Sequence, residues 1–163
     1  MEEIIFIERL LIAAFVGGLV GYEREYKNSH AGLRTHILVC LGAAVVTLIS
    51  EYNLDKYLLL AENPIYANVI TVDSSRLGAQ VISGVGFLGA GTILREKGSI
   101  KGLTTAASLW IVACLGLAVG QGLYGLAITA AIIVVITLSL LRKLDNFIYI
   151  SSSRVKDNKK RSL

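Results

Sequence analysis

Glu8, Asp73 and Gln80 supply the oxygen atoms best placed to meet a hydrated cation. Hard cations such as magnesium take oxygen ligands and keep several waters, so two carboxylates and an amide suit a hydrated ion. On a helix, Arg76, Gln80, Ser83 or Gly84, Phe87 and Gly91 share one face. Glu8 lies a turn or two deep in the first apolar stretch, and Asp73 lies at the mouth of the third. The three groups could then converge at an outer vestibule. The competing reading is ion pairing, because acids within a membrane usually find cationic partners, and Arg9 and Arg76 lie beside them. No metal ligand set is defined by spacing; a hard cation, magnesium or another, is the ion this chemistry would suit, and no other cofactor is expected.

A second polar cluster gathers Glu23, Arg24 and Glu25 with Arg34, Thr35 and His36, and with Thr104 and Thr105. Threonines at a helix start can cap free N–H groups. Glu23 with Arg34 would close a helical hairpin. An imidazole's ordinary titration range spans neutrality, but a lone interfacial His36 is weak ground for a pH switch. No Ser/His/Asp or Cys/His arrangement, phosphate loop or zinc spacing is present. Gly84-Val85-Gly86-Phe87-Leu88-Gly89 matches a dinucleotide pattern but lacks the preceding strand and the later acid that the pattern needs. Cys40 and Cys114 read as small buried apolar residues. An enzyme is not expected.

The elements that must carry these groups are membrane helices. Apolar residues make up 54% of the 163, and charged residues only 17%, against about 25% in a soluble domain. Mean hydropathy is +0.64. The 40 residues Gly102–Leu141 contain no Asp, Glu, Lys or Arg. A spanning helix needs about 20 mostly apolar residues, so that run predicts two helices broken near Gly120-Gln121-Gly122. Spans are predicted at about 4–22, 34–50, 77–94, 102–119 and 122–141. The predicted fold is all-α, a polytopic helix bundle; no alternating pattern suggests a membrane barrel. Glu2, Glu3, Glu8 and Arg9 argue against a cleaved signal peptide. The chain divides into a transmembrane domain, 1–141, and a basic tail, 142–163.

Charge sets an expected orientation. With five spans, thirteen Lys and Arg fall on one side, in the loops around 23–34 and 95–101 and in the tail, against Lys56 and Arg76 on the other. The positive-inside rule then places the N-terminus outside and the C-terminus in the cytoplasm. The net charge of +4 is a topology signal, and nucleic acid is not an expected partner. The lipid bilayer is, with the basic tail against anionic lipid. The outer loop, 51–76, is expected to hold a short interfacial helix at Asp55–Leu60.

Glycine is expected to pack these helices. Gly17 and Gly21, and Gly116 and Gly120, form GxxxG pairs, and the third span carries Gly84, Gly86, Gly89 and Gly91. Without a hydrophobic force between helices in lipid, close backbone approach must supply association. Trp110, mid-span, is expected to pack against a glycine-rich helix. An internal repeat is also legible. Gly32-Leu33-Arg34-Thr35 and Cys40-Leu41-Gly42 are echoed by Gly102-Leu103-Thr104-Thr105 and Cys114-Leu115-Gly116. Spans one–two and three–four would be parallel hairpin repeats, an arrangement that often places a site at the repeat interface.

Four ordered blocks carry a resemblance: Arg9-Leu10 leading to Gly17-Gly18-Leu19-Val20-Gly21-Tyr22-Glu23-Arg24-Glu25, Ala31–His36, Ser83–Arg95, and Gly102–Trp110. Over roughly residues 8–125 the chain resembles the MgtC/SapB family of bacterial cytoplasmic-membrane proteins. The resemblance implies about five helices, an inner-membrane location and a role in growth under low magnesium. It also implies action through a membrane partner such as the proton-translocating ATP synthase, with magnesium transport a further proposal for the family. Only about 22 residues follow Leu141, so the chain resembles the short, SapB-like form without a soluble C-terminal domain. Two functions are expected in competition. One is a regulator of magnesium homeostasis that contacts its partner through glycine faces. The other is a small cation channel or transporter, which would need to form a homodimer because five helices enclose little space.

Overall fold

The computed structural model describes residues 2–63, 73, 75–96 and 98–140. Helix α1 runs Glu2–Tyr26 and α2 Leu33–Ala61. The turn between them is built by Asn28, which takes a left-handed φ of 52°. Ser29 N–H then reaches back to the Arg24 carbonyl and Asn28 N–H to that of Glu25. This pairing closes a helix with its last carbonyls satisfied. Glu25 also receives Leu33 N–H at 2.8 Å, so an acid from the end of α1 caps the start of α2.

Helix α3, Arg76–Gly91, is followed by an antiparallel hairpin of β1, Leu94–Glu96, and β2, Ser99–Lys101. Helix α4 runs Leu103–Gly120 and α5 Tyr124–Leu140. Gly102 enters α4 at φ 90°, where a side chain would also overlap the Thr92 carbonyl. Gly122, at φ 75°, repeats the α1 closure: Leu123 N–H bonds to the Ala118 carbonyl and Gly122 N–H to that of Val119. The break expected near Gly120–Gly122 is this turn. The expected spans each centre on a helix, and α1, α2 and α4 are long and apolar enough to cross a membrane.

Two local expectations change. The Asp55–Leu60 stretch is the continuation of α2, with no separate interfacial helix. No proline interrupts the chain before Pro64 and no glycine follows Gly42 in this helix, so nothing halts propagation. At about 1.5 Å per residue, α2 reaches about 43 Å, beyond the ~30 Å hydrocarbon layer. The basic loop after α3 is a strand hairpin, turned at Gly98 with φ 85°.

The bundle packs α1 on α2 and α4, α2 on α4, and α3 on α4 and α2. A central core joins Ala13, Val16, Val20, Cys40, Ala44, Val112, Val119, Ala127 and Ala131, which brings α5 against α1, α2 and α4. A smaller core holds α3 through Val85 against Ala43, Leu109 and Ala113. A Cβ on Gly17 would lie 2.7 Å from that of Cys40, and one on Gly120 2.6 Å from that of Thr47; one on Gly21 would lie 2.9 Å from Leu33 Cα. One on Gly116 would overlap the Cys40 carbonyl. Both GxxxG pairs thus seat their helices on α2.

On α3 only Gly89 has such a neighbour, Ala106 at 3.4 Å. Gly84, Gly86 and Gly91 face open space, so the packing expected of them is not made among the described residues. Trp110 is 46% exposed, because Leu109, Val112 and Ala113 take the inward face of α4. The face carrying Gln80, Ser83, Gly84 and Phe87 points out of the bundle, and Phe87 is 82% exposed. Gly21 over His36 and Gly89 over Ala106 close the two hairpins at corresponding places after Gly32-Leu33 and Gly102-Leu103.

Candidate functional site

Polar side chains collect at the two ends of the bundle, with the central apolar core between them. At the end bearing the basic loops, Glu23, Arg24, His36, Thr105 and Ser108 are buried. Helix α1 supplies the first two, α2 the third and α4 the last two, so the cluster is a product of three-helix packing. Arg24 Nη2 donates to Ser29 Oγ at 2.7 Å, and Ser29 shares a 3.1 Å hydrogen bond with Thr105 Oγ1. His36 is fully enclosed, with Nδ1 2.8 Å from the Gly32 carbonyl and Nε2 3.0 Å from Ser108 Oγ. A carbonyl only accepts, so Nδ1 carries the proton. In the neutral ring Nε2 accepts, and the one Ser108 hydroxyl proton is shared between His36 and the Thr105 carbonyl, 2.9 Å away. The histidine works as a clasp between α2 and α4.

Glu23 faces Arg24 at 3.7 Å, and neither of its oxygens accepts a hydrogen bond among the described residues. The expected Glu23–Arg34 pair is replaced by this one, because Arg34 turns to the exposed side of α2. Thr35 and Thr104 are exposed, and neither α2 nor α4 has a capping side chain from its own start; Glu25 takes that role for α2. Beside the cluster opens a cavity of about 640 Å³, bounded by the α1–α2 turn, the entry to α4 and the end of α5.

At the opposite end Arg9 donates to Glu51 and to the Gly120 carbonyl, the latter at 2.7 Å. One guanidinium therefore ties α1 to α2 and satisfies a terminal carbonyl of α4. A cavity of about 470 Å³ lies here, lined by Thr47, Ser50, Glu51, Ser75, Gly78 and Gln121 among others. Glu8, Asp73 and Gln80 do not line it. Glu8 and Gln80 are exposed, and Asp73 accepts from Ser75 N–H at 3.0 Å and Ser75 Oγ at 2.6 Å. Those two bonds hold the Asp73 carboxyl below the usual carboxylate range. The structure does not bring these three together, because α1 packs on α2 and α4 while α3 sits to the side. Among the described residues no group of three His, Cys, Asp or Glu could hold a metal ion.

Sequence reasoning passed over Ser29, Ser108 and Glu51. Ser108 was recoverable as a hydroxyl inside an uncharged run, and Glu51 as the acid nearest the end of a span. Their pairing with His36 and Arg9 was not recoverable, since each pair is distant in sequence.

These features define a helical membrane protein closed by small-residue packing, with a buried polar clasp at its basic end. The chain belongs to the MgtC family, whose profile matches residues 10–147. It is 40% identical over 139 residues to YhiD of Escherichia coli K12, named a candidate magnesium transporter, covering 85% of this chain and 61% of that one. It is 38% identical over 134 residues to protein MgtC of Brucella abortus, 81% of this chain and 49% of that one. It is 39% identical over 137 residues to protein SapB of Bacillus subtilis, 82% of this chain and 55% of that one. The chain thus spans about half to three-fifths of the length of these relatives. No solved structure matches it.

Proposed function

We propose that this chain is a non-enzymatic membrane protein of magnesium homeostasis, acting in the bacterial inner membrane by modulating a partner complex. Its place in the MgtC family and the magnesium transport put forward in the name of its Escherichia coli relative support the magnesium link. The observation that favours modulation over conduction is the filled centre of the bundle. Val16, Val20, Cys40, Ala44, Val112 and Val119 are tightly buried between the two polar ends. Among the described residues this core offers an ion only apolar side chains, and dehydrating a divalent cation in such a core is prohibitive. A membrane complex such as the proton-translocating ATP synthase is the partner to test first, and a homodimer is the assembly to test first. The N-terminus lies outside and the C-terminus in the cytoplasm, following the Lys and Arg bias of the loops.

Ion transport is the second reading, carried by the outer cavity beside Glu51. The test is magnesium entry into liposomes loaded with a magnesium-sensitive dye, with wild type beside Glu51→Gln, Glu8→Gln and Asp73→Asn. We expect no entry above empty liposomes from folded, inserted protein, together with rescue of growth at low magnesium by the same chain in cells. Saturable entry that is lost in any of the three variants overturns the modulator reading.

A further inference from the structure

We propose that the basic end of the bundle is a binding site for one anionic phospholipid. Its phosphate would lie in the cavity between the α1–α2 turn and α4, and one acyl chain in the groove between α4 and α5. The inference rests on two adjoining spaces of opposite character. The first, of about 640 Å³, presents Arg24, Lys27 and His30 on one wall and Gly102, Thr104 and Thr105 on the other. None of the described residues lining it is acidic. The second, of about 490 Å³, shares Leu103, Thr104, Thr137 and Leu138 with the first and continues along Ala107, Ile111, Ile133 and Val134. A polar, cationic chamber opening onto an apolar channel is the shape and polarity of a phospholipid.

The charge arithmetic favours a phosphate. Glu23 stands 3.7 Å from Arg24 and offsets part of its charge. Lys27 is in no ion pair among the described residues; its ammonium rests 5.2 Å from the Tyr26 ring centroid. The first turn of α4 adds N–H groups that no side chain at its start caps, the polarity that favours an anion. Ser29 bridges Arg24 to Thr105 at 2.7 and 3.1 Å, which fixes the two walls relative to each other. Donors on both walls suit a phosphate with several oxygens. The apolar channel then separates a lipid from free phosphate: Ile111, Ile133 and Val134 offer a soluble anion nothing, but would bury an acyl chain.

The test uses the full chain in a detergent without phosphate, offered equal phosphatidylglycerol and phosphatidylcholine, with bound lipid read by native mass spectrometry. We expect one retained phosphatidylglycerol in preference to phosphatidylcholine. Thr104→Glu puts a carboxylate into the chamber at a helix start that tolerates acids, and should weaken retention by about tenfold or more. Ala107→Phe obstructs the channel and should weaken it without changing the charge. Circular dichroism and melting temperature show that each variant is folded. Equal retention of both lipids, or unchanged retention by folded Thr104→Glu, overturns the proposal. So does saturable stabilisation by inorganic phosphate with no lipid preference, which would make the chamber a free-anion site. Ala107→Phe that binds phosphatidylglycerol like wild type removes the acyl channel and overturns the two-part site.

Discussion

Arg9 shows how one side chain within an apolar helix is made tolerable. Its guanidinium meets a carboxylate and a helix-terminal carbonyl at once, so a charge at depth becomes a tie between α1, α2 and α4. The two partners are unequal, because Glu51 is half-exposed and the Gly120 carbonyl belongs to a buried residue. Arg9→Gln is therefore expected to lower stability by about 1–3 kcal/mol. Glu51→Gln is expected to lower it by under about 1 kcal/mol, as for a solvent-screened pair. Thermal unfolding of the two variants in one detergent checks the order; equal losses would mean that the ion pair, and not the carbonyl bond, carries the contact.

At the element scale, the glycines divide into two populations that look alike in sequence. Gly116 lets α4 touch the α2 backbone at Cys40, whereas Gly84 faces open space among the described residues. Gly116→Ala should destabilise the chain by about 1–3 kcal/mol through overpacking. Gly84→Ala should be neutral or stabilising by up to about 1 kcal/mol, since alanine is the better helix former. Melting curves of the two variants decide this. A loss at Gly84 matching that at Gly116 would point to a neighbour for α3 supplied by another molecule. The Asn28 and Gly122 turns belong to the same scale: each is a left-handed residue that ends one helix and sets the reversal into the next.

For the whole molecule, both basic loops lie at one end. The same cavity is lined by Lys27 and His30 from the first and by Ile100 and Gly102 from the second hairpin's approach to α4. Arg9, Glu51 and Gly120 mark the other end. If the basic end is cytoplasmic, a membrane-impermeant thiol reagent applied outside intact spheroplasts should label Asn63→Cys and spare His30→Cys until the membrane is opened, in a chain whose Cys40 and Cys114 are alanine. The reverse pattern would invert the orientation.

The sequence by itself determined the membrane-helix class, the approximate place of each helix, the break at Gly120–Gly122 and the family. These rest on local runs of apolar residues, on glycine at fixed spacings and on four ordered motifs, all of which are properties of neighbouring residues. Its reading of α2 stopped early because hydropathy falls near Glu51, while the helix continues for as long as nothing breaks it. Only the tertiary structure decided which polar groups meet. Glu8, Asp73 and Gln80 looked convergent by helical phase, but convergence depends on which helices are neighbours, and α3 packs on α4 and α2. The pairs that form, His36 with Ser108 and Arg9 with Glu51, join residues far apart in the chain. Helical phase fixes the direction of a side chain about its own axis; only the packing of helices fixes what stands opposite it.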